Sequence, residues 1–375
     1  MQLYDDSGER MARWRAPVRV SITTSPPARA SIAEYTIGPR YVLSEARELG
    51  TTPLGPLELA PGSYLLKLES DGRAPVRYPV LVRRGESLSI ELELPTAASV
   101  PEGFVYIPAG RFLVGAGVDD ALRREFLHAV PLHEATTEAY LIGRDETTFA
   151  DYIEFLEALS PEERARNTPK VDVSFTHRGV ELTRDEDGGW TLTLIDPRGR
   201  QTARRGEKIR YPARDRNVEH DWLQMPVCGI GFEKATAYAQ WLAASGKVPG
   251  ARLCTGDEWE RAARGADGRL FAHGDQITPA DANVQDTYGS AAEVLGPDTI
   301  GLRPDAESPF GLRDATGNII EFVVRGRGDQ AVDVRGGAYP VAAFTSRISN
   351  RVEMPIGTEL GSLGVRVCAS YPPPG

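Results

Sequence analysis

Asp314 and Glu321 stand at the two ends of DATGNIIE, a glycine-containing turn sequence with backbone carbonyls between the carboxylates. An all-oxygen set of this kind is hard ligation and suits calcium. The same residues also fit a plainer reading, a turn held by hydrogen bonds from Asp314 and Asn318. Softer chemistry is thinly supplied. Cys228, Cys254 and Cys368 are far apart and form no CxxC pair, which excludes a disulfide scaffold and zinc-ribbon spacing. A Cys228–Cys368 bridge is open to the chain, but buried free thiols are the expected state. The histidines His128, His133, His177, His220 and His273 make no HxxxH pair and no triad with a carboxylate at helical spacing. His220-Asp221 has no nucleophile beside it, and neither a GxSxG elbow nor a P-loop is present.

Three helices must position whatever these residues do. In TTFADYIEFLEAL, Phe149, Tyr152, Ile153 and Leu156 share one face and Thr148 with Asp151 has capping-box spacing. FEKATAYAQWLAAS sets Ala235, Tyr238, Ala239 and Leu242 at helical spacing, with Gly246 as the stop. CTGDEWERAARG pairs Thr255 with Glu258 as a second capping box and ends at Gly265. Before them, residues 17–95 read as all-β. VRVSITT, SYLLKLES, YPVLVRR and SLSIELELP are short β-prone runs between Pro and Gly turns, spaced for a small antiparallel sandwich.

The length of 375 residues suggests two or three domains. We divide the chain into an N-terminal linker at 1–16, the β module at 17–95, a linker at 96–102 (TAASVPE) and a second domain at 103–371. A charged, hairpin-rich insertion at about 160–220 interrupts the last. The net charge of −10 argues against a nucleic-acid partner, so the basic run Arg198 to Arg210 is read as a solvated hairpin. No run approaches the ~20 apolar residues of a membrane span, and the first residues lack the apolar core of a signal peptide. A cytoplasmic location is the expectation, unless the sequence is a piece of a longer polypeptide.

Two family resemblances sharpen this outline. Ser25-Pro26-Pro27-Ala28, the segment Gly50 to Leu54 (GTTPL) and Pro61 to Tyr64 (PGSY) resemble the PEGA family, which implies a surface-layer or spacer module. From Phe104 onward the order of motifs resembles the sulfatase-modifying-factor family, the formylglycine-generating enzymes and their relatives. The matching segments are FVYIPAGRFLVG, the ETTFADYIEFL helix, MPVCGIGFEKATAYAQWL, ARLCTGDEWERAARG, LFAHGD, SPFGLRDATGNIIEF, RGGAY and LGVRVCA, in that order. The implied fold class is α+β: a C-type-lectin-like arrangement with few regular elements, preceded by the N-terminal all-β sandwich. Within it, Trp241 and Trp259 are expected as core anchors, Arg252 and Glu258 as ties between loops and helix ends, and Gly317, Gly336 and Gly337 as turn residues.

The resemblance also says what chemistry to look for. Catalytic relatives carry two cysteines after the RGG turn, spaced five apart, that bind copper as soft thiolates and activate oxygen. Counted from Gly336-Gly337, those places fall near Val341 and Ser346. Valine cannot ligate a metal and a serine hydroxyl is a poor ligand for Cu(I), so no copper is expected. Cys368 matches a structural strand of the family and Cys254 a position where relatives have proline, so neither substitutes. Relatives bind calcium in the DATGNIIE loop. Residue-by-residue carry-over gives Asp314 and Glu321 through side chains, Gly317 and Ile319 through carbonyls, and Asn283 from a second family site.

What remains is a shaped cleft. Tyr339, Phe344, Arg347, Asn350 and Arg351 lie in the loop that frames the active site in relatives, and aromatic, guanidinium and amide groups together make a recognition surface. The resulting expectation is a non-catalytic binding or sensor module for a protein or small ligand. The domain pair also resembles the region that follows the kinase domain in large myxobacterial-type serine/threonine kinases, which implies a kinase or other signalling partner; kinase motifs themselves are missing. The alternatives are an oxidoreductase with a noncanonical site, and a diversified ligand-display or architectural subunit.

Overall fold

Alternation builds the first sheets. Along Val18–Ser25 the side chains of Val18, Val20, Ile22 and Thr24 are buried while their neighbours face outward. This strand lies between Leu54–Leu59, antiparallel, and Ser87–Glu93, parallel. A second sheet runs Val42–Leu43, Arg29–Thr36, Gly62–Glu69 and Val76–Val82, with Arg47–Thr51 also paired to Arg29–Thr36. The computed structural model describes residues 17–117, 128–173, 178–324 and 331–372. The proposed linker at 1–16 and His177 lie outside them.

The expected helices form at Phe149–Ala158, Phe232–Ala244 and Gly256–Arg264, joined by a short one at Pro161–Asn167. Both capping boxes close: the Asp151 amide donates to Thr148 Oγ1 and the Glu258 amide to Thr255 Oγ1, each at 3.2 Å. Gly265 ends its helix at φ +79°, a conformation in which a side chain would also strike Pro309 and Pro79. Arg252 ties to Glu258 at 2.6 Å, and Trp259 is a core anchor, whereas Trp241 is only half-buried. No helix among the described residues is long and apolar enough to cross a membrane.

Two sheets support the candidate site. One runs Ala251–Leu253, Val367–Ser370, Tyr140–Gly143 and Phe104–Ile107, all antiparallel. The other runs Val352–Pro355, Ala331–Arg335, Ile320–Val323 and Leu363–Gly364. The first corrects an expectation. Its register sets Arg252 opposite Cys368, so Cys254, just past the strand end, reaches Cys368 and forms a disulfide with it. Cys368 is therefore not the partner of Cys228, which stays a buried free thiol.

The insertion is a four-stranded antiparallel sheet (Lys170–Val171, Gly179–Arg184, Trp190–Asp196, Gly199–Arg204) and a hairpin of Lys208–Arg210 with Glu219–Asp221. Its basic run is spent on neighbouring carboxylates: Arg198 on Glu293 at 2.6 Å, Arg204 on Asp185 and Asp187, and Arg210 on Glu219 at 2.8 Å.

The first and second parts of the chain are pinned together. Ser63 Oγ donates to Asp267 at 2.6 Å, and Asp267 also holds the Arg269 guanidinium, which lies 4.6 and 4.7 Å from the ring centres of Tyr35 and Tyr41. The Pro39 carbonyl accepts from the amides of Asp275 and Gln276, and the Tyr41 amide donates to the His273 carbonyl. Residues 96–102 are held too: Ala97–Ser99 forms one 3-10 turn, with the Ala97 amide on the Gly72 carbonyl at 3.0 Å.

Candidate functional site

The RGG turn brings the loop after it back over the strand Ile320–Val323. Gly336 and Gly337 take φ values of +94° and +74°, and Gly317 takes +83°, as tight turns at these three positions require. The Gly317 amide donates to the Gly336 carbonyl at 2.8 Å, so the two turns are bonded directly. Ser346 packs against the face of Gly337 where a side chain would project; a Cβ there would lie 2.6 Å from Ser346 Cβ. Val341 is fixed by its carbonyl, which accepts from the Gln285 amide at 3.0 Å.

Between these turns and the strand Val352–Pro355 lies a cavity of about 180 Å³. Val341, Val352, Met354 and Leu360 give it apolar walls, and Thr345 and Asn350 also line it. Phe344 stands 57% exposed in the same loop, and Val352 is also exposed. The residues expected at the ligand surface separate here. Phe344 is exposed, Arg347 and Arg351 are half-buried, and Asn350 is buried with its amide on the Phe344 carbonyl at 2.9 Å. Arg351 Nε donates to the His128 carbonyl at 2.7 Å. Tyr339 is a correction: it is fully buried and its phenol donates to the Gly361 carbonyl, so it holds the floor of the loop and presents nothing to a ligand.

No residue at the copper places fits that metal. Val341 offers no donor and Ser346 is buried under Gly337, while Cys254 and Cys368 are bonded to each other and the Cys228 thiol is pushed up to about 12 by burial. Thiolate ligation is therefore unsupported on this lining.

Both carboxylates of the proposed calcium set already have partners in the fold. Glu321 is fully buried, but its carboxylate already has a cation: Arg366 Nη2 lies 2.7 Å from Oε1, and Nε lies 3.0 Å from both oxygens. The remaining guanidinium donors take the carbonyls of Gly143, Arg144 and Arg313, and Trp259 Nε1 also bonds Glu321. A guanidinium thus holds one of the two carboxylates that the family resemblance assigns to a metal. Asp314, at φ +52°, accepts from the Gly301 amide at 2.6 Å. Asn283 turns its amide nitrogen to the Gly296 carbonyl and Asn318 Oδ1, and the Ile319 amide donates to Glu146 at 3.1 Å.

Three residues of this region carry no motif of their own. Glu146 is buried, accepts from Asn318 Nδ2 at 2.6 Å, and has its carboxyl raised well above the ordinary range by burial and by the charges of Asp314 and Glu321. Glu260, also buried, joins Arg335 of the RGG strand at 2.8 Å, Arg264 at 2.8 Å and the Gly115 amide at 2.7 Å. Arg366 completes the set. The only sequence signal for any of them is position within the motif segments.

Residues 92–371 match the sulfatase-modifying factor enzyme 1-like domain. The chain belongs to that family. It is similar to a formylglycine-generating enzyme of Mycobacterium tuberculosis, 28% identical over 233 residues, covering 58% of this chain and 72% of that protein. It is also similar to the inactive C-alpha-formylglycine-generating enzyme 2 of Mus musculus, 26% identical over 286 residues, covering 71% of this chain and 85% of that one. Among solved structures, PvdO from Pseudomonas aeruginosa shares the fold at a TM-score of 0.52 and 20% identity, over 72% of this chain and 94% of PvdO. Relatives of the family domain thus include an enzyme and inactive proteins.

Proposed function

We infer that this chain is a non-catalytic member of the sulfatase-modifying factor family that uses the old cleft for binding. The observation that carries the reading is the pair Val341 and Ser346: where relatives are expected to place copper-binding thiolates, one residue walls an apolar cavity and the other is packed beneath a glycine. The cavity takes one aliphatic side chain, and exposed Phe344 with Arg347 and Arg351 offers contact area and charge around a bound peptide. The strand-rich first part, a PEGA-like module by resemblance, serves as a fixed support for this surface.

Metal content of the purified chain after incubation with Cu(I) tests the first half. No stoichiometric copper is expected; copper near one per chain, with conversion of a cysteine in a substrate peptide to formylglycine, restores the enzyme reading. A peptide-display selection tests the second half. Enriched peptides should share one aliphatic position and lose binding to V341D and F344A. Peptides that bind both variants unchanged, or no enrichment at all, overturn the binding cleft.

A further inference from the structure

Where the two parts of the chain meet there is a second cavity, of about 510 Å³, within the roughly 300–1,000 Å³ usual for small-molecule sites. Both parts build it: Tyr35, Arg40, Tyr41 and Arg77 come from the strand-rich part, and Arg269, His273, Asp305 and Glu307 from the family domain. Most of its charges are already committed. Arg269 is neutralised by Asp267 at 2.8 Å and clasped by the two tyrosine rings. Arg40 is bonded to Asp281, and Glu307 takes Arg313 at 3.0 Å.

Two opposite charges on the lining are not committed. Arg77 uses Nε on the Pro309 carbonyl at 2.8 Å and enters no ion pair among the described residues. The Asp305 carboxylate likewise has none; only its backbone carbonyl is used, by Arg40. His273 completes the wall: its Nε2 lies 2.9 Å from the Gln276 carbonyl and its Nδ1 is out of solvent's reach, so it shapes the cavity and takes no part in binding.

We propose that this seam cavity binds a small zwitterion, the simplest being a free α-amino acid, with its carboxylate on Arg77 and its ammonium toward Asp305. A planar guanidinium with open Nη donors matches a carboxylate two bonds at a time. Because Arg77 and Asp305 come from different parts of the chain, the site exists only while the parts are docked. It is independent of the cleft at Val341, so either site can fail without the other.

Calorimetric titration of the full chain with glycine, L-alanine and L-serine tests this, with acetate, methylammonium and inorganic phosphate as single-charge probes. The amino acids should bind at one per chain, and the single-charge probes should bind far more weakly. R77M should weaken amino-acid binding roughly 10- to 100-fold, as loss of a charged hydrogen-bond partner does. R77K, which keeps the charge but not the fork, should fall between them. Circular dichroism melts of both variants report whether the seam survives. No amino acid bound at millimolar concentration overturns the proposal. So does phosphate binding more tightly than the amino acids, or binding by folded R77M and R77K equal to that of the unaltered chain.

Discussion

Arg366 lies on Glu321 in the interior, with Nη2 2.7 Å from Oε1 and both side chains fully buried. Burial alone would favour the neutral carboxyl and disfavour the guanidinium charge, so the pair persists because each group satisfies the other and three carbonyls complete the guanidinium's bonds. E321Q should destabilise the chain by about 3–5 kcal/mol, the usual cost of leaving one buried charge unpaired. Since the guanidinium already neutralises Glu321, millimolar calcium should leave the unfolding midpoint unchanged. A calcium-dependent rise that E321Q abolishes would show that Arg366 yields its place to the metal, because a ligand of the folded state raises stability by mass action.

The helices were legible because their signals are local. Thr148 with Asp151 and Thr255 with Glu258 sit three residues apart, and Gly265 follows its helix directly. Arg366 and Glu260 were not legible, because periodicity treats charged side chains as solvated and their partners lie far away in sequence: Glu321 for one, Arg335 for the other. The motif order pointed to the RGG turn and the loop after it. It could not tell which loop residues point outward, and so Tyr339 and Phe344 were read alike although one is buried and the other exposed. The disulfide was hidden for a similar reason. Which cysteine reaches Cys368 depends on the register of two strands, which the spacing of the cysteines does not encode.

The disulfide has a direct count attached to it. Unfolded without reductant, the chain should titrate one thiol, Cys228, and after reduction all three cysteines should react. C254A should lower stability by about 2–5 kcal/mol, the range for native disulfides closing long loops. Three reactive thiols before reduction would mean that the pair is open in the purified protein.

Asp267 makes the seam between the two parts sensitive to acid. Burial would raise its carboxyl, but the hydrogen bonds and charge of Arg269, with Ser63, hold it below the ordinary range. Its stabilisation is therefore present above the unfolded value, about 3.9, and is lost as the pH falls through the lower folded value. D267N should destabilise the chain by about 3–5 kcal/mol at neutral pH, with Arg269 left buried and unpaired. Denaturation of both proteins across the acid range should show that difference shrinking below about pH 4. A difference that stays constant down to the lowest pH would place the effect in packing and not in the ion pair.

The cleft itself rests on the contact between Gly337 and Ser346. G337A imposes two separate penalties: a non-glycine residue at φ +74°, and a methyl group driven into Ser346. Together these should cost about 2–5 kcal/mol, from roughly 1–2 for the left-handed backbone and roughly 1–3 for the overpacking. The two parts can be separated by a double-mutant cycle. S346G removes Oγ and Cβ but leaves the Cα of residue 346 at 2.8 Å together with the backbone strain, so G337A/S346G should recover part of the packing share and no more. Full recovery would mean that the backbone at residue 337 tolerates a side chain. No recovery would mean that the loop carrying Ser346 moves aside in G337A, and the cavity walled by Val341 should then change shape as well.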